Sequence, residues 1–475
     1  MIIFYRLPWD NKLIKINNKR ASYFEYSIKK PAVSVFNTFI FLVFFGTLLL
    51  SLPISNRIEG NISIIDAMFT ATSAVCVTGL AVVDTGNDFT LFGQLVILFL
   101  IQCGALGIII FSYIGSFVSG RYLSMQDKFT ISFALNVSDM SNLYSALKKI
   151  VFFTLFFEAI GIVFLFFSFV PYFGWTINNL FISFFHSISA FCNAGFSLFT
   201  DSLTGFNNSV SINLTISFLI IIGGLSFAVL FNIHEYIFDI LKVKVFKSKN
   251  IIRKLNLNTK IVLLLTVFFL IFGTLLIYAT EHANTLKEMP TGYQYLAAFF
   301  QSVTSRTAGF NTIDTSRFTN STFFVIIFLM FIGGASGSTA GGVKVNTFGI
   351  AINHILSILK NKNTTVIFKE SISKTLVSRS FVVIMLGMSV VFITVFLLSI
   401  SEKHSPIQYV FEAVSAFGTV GLSAGITSSL SFAGKIMIIV TMFIGRVGLI
   451  TMLSLLSGMK PDARIEYPES MVSIG

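Results

Sequence analysis

Residues 73–86 read SAVCVTGLAVVDTG, and the centre of this stretch, Val77-Thr78-Gly79-Leu80, is not unique in the chain. Asn193-Ala194-Gly195-Phe196, Thr307-Ala308-Gly309-Phe310 and Thr419-Val420-Gly421-Leu422 repeat its pattern, with glycines 116, 114 and 112 residues apart. A phenylalanine stands ten residues before each glycine: Phe69, Phe185, Phe299 and Phe411. A small residue stands five before: Ala74, Ala190, Thr304 and Ala416. The chain holds 33 glycines, so a single match would carry nothing. Four matches in one register define an internal repeat of about 115 residues.

The flanking sequence says what is repeated. Long runs lacking Asp, Glu, Lys and Arg, or broken by one such residue, occupy 31–56, 89–120, 150–172 (with Glu158), 202–234, 261–280, 318–343, 380–401 and 436–457 (with Arg446). A helix needs about 20 apolar residues to cross a bilayer, so these read as eight spans. Four shorter apolar pieces lie near 63–78, 178–194, 291–308 and 405–420, each between an odd span and the next even one. They are too short to cross and return as helices. They read as half-helices that dip into the membrane and come back as extended chain, which is tolerated only beside a water-filled cavity or inside protein. The expected fold is an all-α membrane protein: four helix–pore loop–helix repeats around a central pore. The expected divisions are a basic segment 1–30, repeats at 31–120, 121–240, 241–360 and 361–459, and a tail 460–475.

Composition agrees and excludes other classes. Hydrophobic residues make up 54% of the 475 and charged residues 11%, against about 25% in a soluble domain. Disorder needs the opposite bias. Continuous rather than alternating apolar runs argue against a β-barrel. The net charge of +12 suggests nucleic acid until its distribution is considered. Of 33 Lys and Arg, 26 fall in the two tails and in 112–149, 234–260 and 344–379, which lie on one side of this topology. Six fall in or beside opposite-side segments: Arg57, Lys287, Arg306, Arg317, Lys403 and Lys435. Positive charge gathers on the cytoplasmic side, so both termini are expected in the cytoplasm and no nucleic-acid partner is implied. Cys76, Cys103 and Cys192 sit in apolar stretches and suggest no disulfide framework. No cleavable signal peptide is expected, and no HExxH, GxSxG or paired-Cys motif suggests an enzyme.

The repeated residues suit a cation. A half-helix running inward ends with unpaired carbonyls and partial negative charge. Glycine reaches the backbone angles that turn the following carbonyls towards a common axis. The four tetrapeptides contain no acidic side chain, so backbone oxygen is the expected ligand and a monovalent ion is favoured over Ca2+. The candidate ion-binding residues are Val77, Thr78, Gly79, Asn193, Ala194, Gly195, Thr307, Ala308, Gly309, Thr419, Val420 and Gly421. The sixth span contains Gly333-Gly334-Ala335-Ser336-Gly337-Ser338-Thr339-Ala340-Gly341-Gly342, followed by Val343 and Lys344. Each helical glycine costs about 1 kcal/mol relative to alanine, so a break is expected here, under Gly309. The equivalent helices, 211–233 and 436–457, have no such glycine density and are expected to continue. Gly337 and Gly342 have P-loop spacing, but Val343 stands where that motif needs Lys.

SAVCVTGLAVVDTG and the other three motifs resemble the Trk/Ktr/HKT superfamily of K+ transporters over the whole chain from about residue 31, closest in pattern to the membrane subunits of bacterial Ktr uptake systems. The resemblance implies a pseudo-tetrameric pore from one chain, a homodimer, and a cytosolic RCK-type nucleotide-binding regulatory ring in the bacterial plasma membrane. Na+-selective members often carry Ser at the first filter glycine; Gly79 here implies K+. The chain itself implies no cofactor; K+ is the expected cargo, with Na+ a candidate activator. Gly333, Gly334, Ser336, Gly337, Ser338, Thr339, Gly341, Gly342, Lys344 and Arg446 match the family's gate region. One glycine per repeat implies weaker discrimination than in tetrameric K+ channels.

Isolated polar residues complete the reading. Arg446 is a candidate electrostatic barrier or a partner for loop carbonyls. Arg306 is expected to tether filter strands or repel cations. Asp66 is expected as an N-cap. His186 and Glu412 read as hydrogen-bonded packing groups, and Glu158 as a buried carboxyl with a weaker case for proton coupling. The rival class is a Na+-coupled alternating-access transporter, whose expected sign is inverted repeats.

Overall fold

Hydroxyl caps and apolar runs set the elements. In a computed structural model, residues 4–6, 13–15, 31–57, 62–107, 143–244, 254–362 and 364–448 are described. The helices are α1 (Pro31–Leu50), α2 (Ile64–Cys76), α3 (Leu91–Leu106), α4 (Leu143–Phe173), α5 (Ile177–Phe191), α6 (Val210–Gly224), α7 (Phe227–Lys244), α8 (Leu257–Glu281), α9 (Thr291–Thr304), α10 (Asn320–Phe331), α11 (Val345–Leu359), α12 (Lys374–Ser401), α13 (Pro406–Gly418) and α14 (Phe432–Val447). Two small hairpins, β1 (Phe4–Arg6) with β2 (Leu13–Lys15) and β3 (Val366–Ile367) with β4 (Glu370–Ser371), are antiparallel. Most of segment 1–30, the 108–142 stretch and the chain after 448 lie outside the described residues, as do the readings that fall on them.

One succession occurs four times: a long apolar helix, a helix of 13 to 15 residues, then a second apolar helix. Each short helix is clasped by its neighbours and packs into the buried core, whereas the long helices keep apolar faces outward: Phe156, Phe164, Phe268 and Phe392 are exposed. That is the surface of a protein solvated by lipid. Glycine allows close approach between the short and second helices. A Cβ on Gly104, Gly223 or Gly445 would overlap the carbonyl of Val75, Phe191 or Phe417.

The second helices differ from expectation. Among the described residues, Ser145–Phe173, Leu257–Glu281 and Lys374–Ser401 are long and apolar enough to cross alone. The second helices α3, α6, α10 and α14 have 16, 15, 12 and 16 residues, roughly 18 to 24 Å at 1.5 Å per residue, short of the ~30 Å hydrocarbon core. The expected uninterrupted helix over 211–233 is bent by 102° between α6 and α7. The Gly223-Gly224 pair weakens the helix there, and Ser226 Oγ accepts the Val229 N–H to start a new one. α3 and α14 end at Gly107 and Gly448, with φ of 72° and 89°.

The four units close on one another in chain order. Asn87 Nδ2 donates to Thr200 Oγ1 at 2.9 Å, Leu203 N to Asn311 O at 2.8 Å, and Thr315 Oγ1 to Ser423 O at 2.6 Å. The seam between the last and first units has no chain crossing it. It is held by Lys435 Nζ on Asp66 Oδ1 at 2.6 Å, with both side chains about 15% exposed, and by Arg446 Nη2 on Gly104 O at 2.6 Å. Asp66 is therefore not the N-cap: Ser63 caps α2, its hydroxyl accepting the Asp66 N–H and donating to Asp66 Oδ2 at 2.7 Å, while Asp66 Oδ1 takes Lys435. Breaking one side of a largely buried pair strands the other charge and costs about 1 to 3 kcal/mol, less than for a fully buried pair. Lys435→Ala is therefore expected to lower the thermal midpoint of detergent-solubilised protein, and the exchange Asp66→Lys with Lys435→Asp to recover part of it. An unchanged midpoint in Lys435→Ala would show that the seam is held otherwise.

Candidate functional site

The four repeated tetrapeptides follow the C-terminal ends of α2, α5, α9 and α13. Three ends close alike. Val77, Asn193 and Thr419 donate their N–H to Ala74, Ala190 and Ala416 O, each at 3.1 Å. Thr78, Ala194 and Val420 donate to Ser73, Ser189 and Ser415 O at 2.8 to 2.9 Å. This paired closure uses the last carbonyls of a helix and needs a left-handed residue after it. α9 closes differently, with Ala308 N and Gly309 N both directed at Thr304 O. All four turns nevertheless share left-handed backbone: φ is 57° at Val77, 58° at Asn193, 74° at Thr307 and 48° at Thr419. The glycines two residues on have φ of 91°, 70°, 80° and 92°. Three of the four non-glycine positions are β-branched, where positive φ is strained, and the surroundings must hold them there. Residue type alone does not foretell this; only the spacing to the glycine marks the positions.

The turns meet. A Cβ on Gly79 would overlap the carbonyl of Ala194; on Gly195 it would lie 2.7 Å from Ala308 O; on Gly309, 2.6 Å from Val420 O; on Gly421 it would overlap Thr78 O. Each glycine thus faces the carbonyl preceding the next unit's glycine, and the circuit returns to its start. The side chains of Val77, Thr78, Asn193, Ala194, Thr307, Ala308, Thr419 and Val420 are buried behind this backbone. The hydroxyls of Thr78, Thr307 and Thr419 have no partner.

The Gly-rich segment abuts the circuit. α10 stops at Phe331, and the chain from Ile332 to Lys344 is not helical before α11 begins. Ile332 bridges Val343, and Gly333 N donates to Val343 O at 2.8 Å, closing the segment as a loop. Ala335 N and Thr339 Oγ1 donate to the carbonyls of Gly224 and Gly223 at 3.0 Å each, so the bend after α6 supplies the loop's acceptors. A Cβ on Gly333 would lie 3.3 Å from the Thr307 side chain, and one on Gly341 would be 2.9 Å from Gly418 O and overlap Thr419. Lys344 Nζ folds back on Ala340 O at 2.5 Å. Gly334, Ser336, Gly337, Ser338 and Gly342 complete the loop.

Two arginines fasten it. Arg446 donates from Nη1 to Thr339 O and from Nη2 to Gly104 O at 2.6 Å, joining α14, the loop and α3. Arg306 donates from Nη2 to Gly333 O at 3.1 Å and stacks near Phe269. Arg306 thus tethers the loop, not a neighbouring turn strand. Glu158 accepts both 2.7 and 2.9 Å bonds from Gln102 Nε2, and Cys192 Sγ points to Gln102 Oε1; Gln102 was not singled out in the sequence, because a lone glutamine in an apolar run carries no spacing signal. All three cysteines are free and buried.

The family model described as TrkH, a cation transport protein, matches residues 13–467. The chain is 41% identical over 443 residues to the Ktr system potassium uptake protein B of Vibrio alginolyticus, covering 92% of this chain and 94% of that one. It is 39% identical to the protein of the same name from Bacillus subtilis, covering 92% and 95%. In three dimensions it resembles the crystal structure of the potassium transporter TrkH from Vibrio parahaemolyticus, with a TM-score of 0.67 and 21% identity over 90% of this chain and 85% of that one.

Arg446 makes two charge-assisted bonds to main-chain carbonyls, each worth about 1.5 kcal/mol or more. Arg446→Ala is expected to raise amide hydrogen exchange at 335–344 by about tenfold or more, while α12 stays protected. Unaltered protection of the loop would show that its contacts with Gly223 and Gly224 suffice.

Proposed function

Because the chain belongs to the TrkH family of cation transport proteins, and is a transporter rather than an enzyme, we propose that it moves K+ across the bacterial plasma membrane through a channel-like pore lined by the four glycine turns. The observation that carries this is the closed circuit in which each glycine faces the next unit's carbonyl. A dehydrated alkali ion on its axis meets peptide oxygen from four sides, aided by the negative ends of four helices. The ligands come from the segments Val77–Gly79, Asn193–Gly195, Thr307–Gly309 and Thr419–Gly421. No carboxylate belongs to them, which suits a monovalent ion. The relatives' names, which specify potassium uptake, point the same way.

The 333–344 loop acts as the gate, since it stands against Thr307 and Thr419 on the side from which α10 should have continued. Arg446 and Arg306 hold it there, and Lys344 ties the loop to itself through Ala340 O. The excess of Lys and Arg in 234–260, 344–379 and the tails supports a cytoplasmic side for those segments, where they suit a nucleotide-binding regulatory ring. The relatives' names refer to a Ktr system, which fits a chain working with other subunits, and a homodimer of this chain is part of the proposal. Alternating access would need two inverted halves, and a circuit of four like turns does not suggest them.

Expression in a K+-uptake-deficient bacterium should restore growth at low K+. Gly79→Ser should lower the K+ over Na+ uptake ratio by roughly tenfold, the effect of about 1.4 kcal/mol at one ion site. An unchanged ratio would remove Gly79 from the filter. Deleting 336–341 should raise cation flux in proteoliposomes; equal or lower flux in folded protein would remove the loop from gating.

A further inference from the structure

Two titratable side chains outside the turns share one register. His186 and Glu412 each stand nine residues before their turn glycine, Gly195 and Gly421, and both are fully buried. Each reaches a serine at the same register of its own unit. His186 Nδ1 lies 2.8 Å from Ile182 O, which requires the proton on Nδ1, so Nε2 accepts from Ser197 Oγ at 3.0 Å. Glu412 Oε1 accepts from Ser423 Oγ, from Ala424 N at 3.1 Å and from Thr427 Oγ1.

Ser197 and Ser423 each stand two residues after their turn glycine. Each hydroxyl also accepts the N–H two residues further on, Phe199 at 3.0 Å and Gly425 at 2.9 Å. The short helix, the serine and the strand leaving the turn are therefore pinned alike in units two and four. Units one and three lack this pair, although in unit one the Ser73 hydroxyl of the short helix accepts the Gly79 N–H itself at 3.0 Å. Thr70 and Phe300 occupy the helix register, and Ala81 and Asn311 the position after the glycine. The Thr70 hydroxyl has no partner, and Asn311 N goes to Ser202 Oγ instead. In the circuit, unit one touches two, two touches three, three touches four and four touches one. Units two and four stand on opposite sides of the axis.

We propose that His186–Ser197 and Glu412–Ser423 form a diagonal clamp that holds the filter segments of units two and four at fixed width and thereby sets K+ over Na+ discrimination. The inference rests on the filter reading above. Carbonyls that collapse onto the smaller ion coordinate both ions well, and carbonyls held apart do not. A hydrogen bond from a buried side chain to the strand just past the glycine removes that freedom on two opposing walls. Neither pair touches the ion; all four are positioning residues.

The test is K+ and Na+ uptake by the full chain in proteoliposomes. Ser197→Ala and Ser423→Ala are each expected to lower the K+ over Na+ ratio about fivefold to tenfold while K+ still passes. Ser423→Thr, which keeps the hydroxyl, should restore the ratio, and Thr70→Ala, at the same register without a partner, should leave it unchanged. A merely structural role would lower both ions together. If an alanine variant does not fold, Ser197→Cys and Ser423→Cys preserve volume, weaken the bond and are expected to act in the same direction. Gly79→Ser is measured alongside. A ratio shifted by Gly79→Ser but not by the serine variants overturns the clamp and leaves the filter standing. A ratio shifted by none of them overturns both.

Discussion

A peptide carbonyl surrounded by hydrocarbon must have a partner, and everything unusual in this chain follows from the places where helices stop short of giving it one. α2, α5, α9 and α13 end deep inside the molecule, and the residues after them cannot hydrogen-bond as helix. Their amides turn back on the last turn, and their carbonyls are left facing the neighbouring unit's glycine. The rest of the fold serves that arrangement. Long helices shield it from lipid, glycines at Gly104, Gly223 and Gly445 bring the second helices close, and side-chain hydrogen bonds join unit to unit.

The same constraint explains the loop. When α10 stops at Phe331, its chain must satisfy a run of free amides and carbonyls within the protein. It does so by pairing Gly333 with Val343, by borrowing the carbonyls exposed at the bend after α6, and by presenting its own carbonyls to Arg306 and Arg446. Arginine is suited to this, because its planar fork can donate to two carbonyls at once and its charge is never lost. A helix break in one unit is thus completed by a helix break in another.

The order of long and short apolar helices and the break after α10 were legible because they rest on residue identity: four short apolar pieces between longer ones, and five glycines within ten residues at the loop. The left-handed backbone at Val77, Thr307 and Thr419 was not, since β-branched residues there run against local preference and are held by tertiary packing. The bend at 225–226 escaped because hydropathy continues unbroken through Leu225 and Phe227, and two adjacent glycines are common inside membrane helices. Asp66 was assigned to the cap because an acidic residue at a helix start usually serves there; Ser63, three residues earlier, was already doing so. The Lys435 partner lies 369 residues away, a distance no local pattern spans.

In the proposed pore one chain furnishes all four sides, and the sides are not alike: α9 closes its turn differently from the other three. In an assembly of four identical subunits, any change of sequence strikes every side together, and an improvement on one wall is bound to its cost on the others. Here a substitution alters a single quadrant. If the four turns line the ion path as proposed, selection can adjust its preference in quarter steps, keeping three walls constant while the fourth drifts.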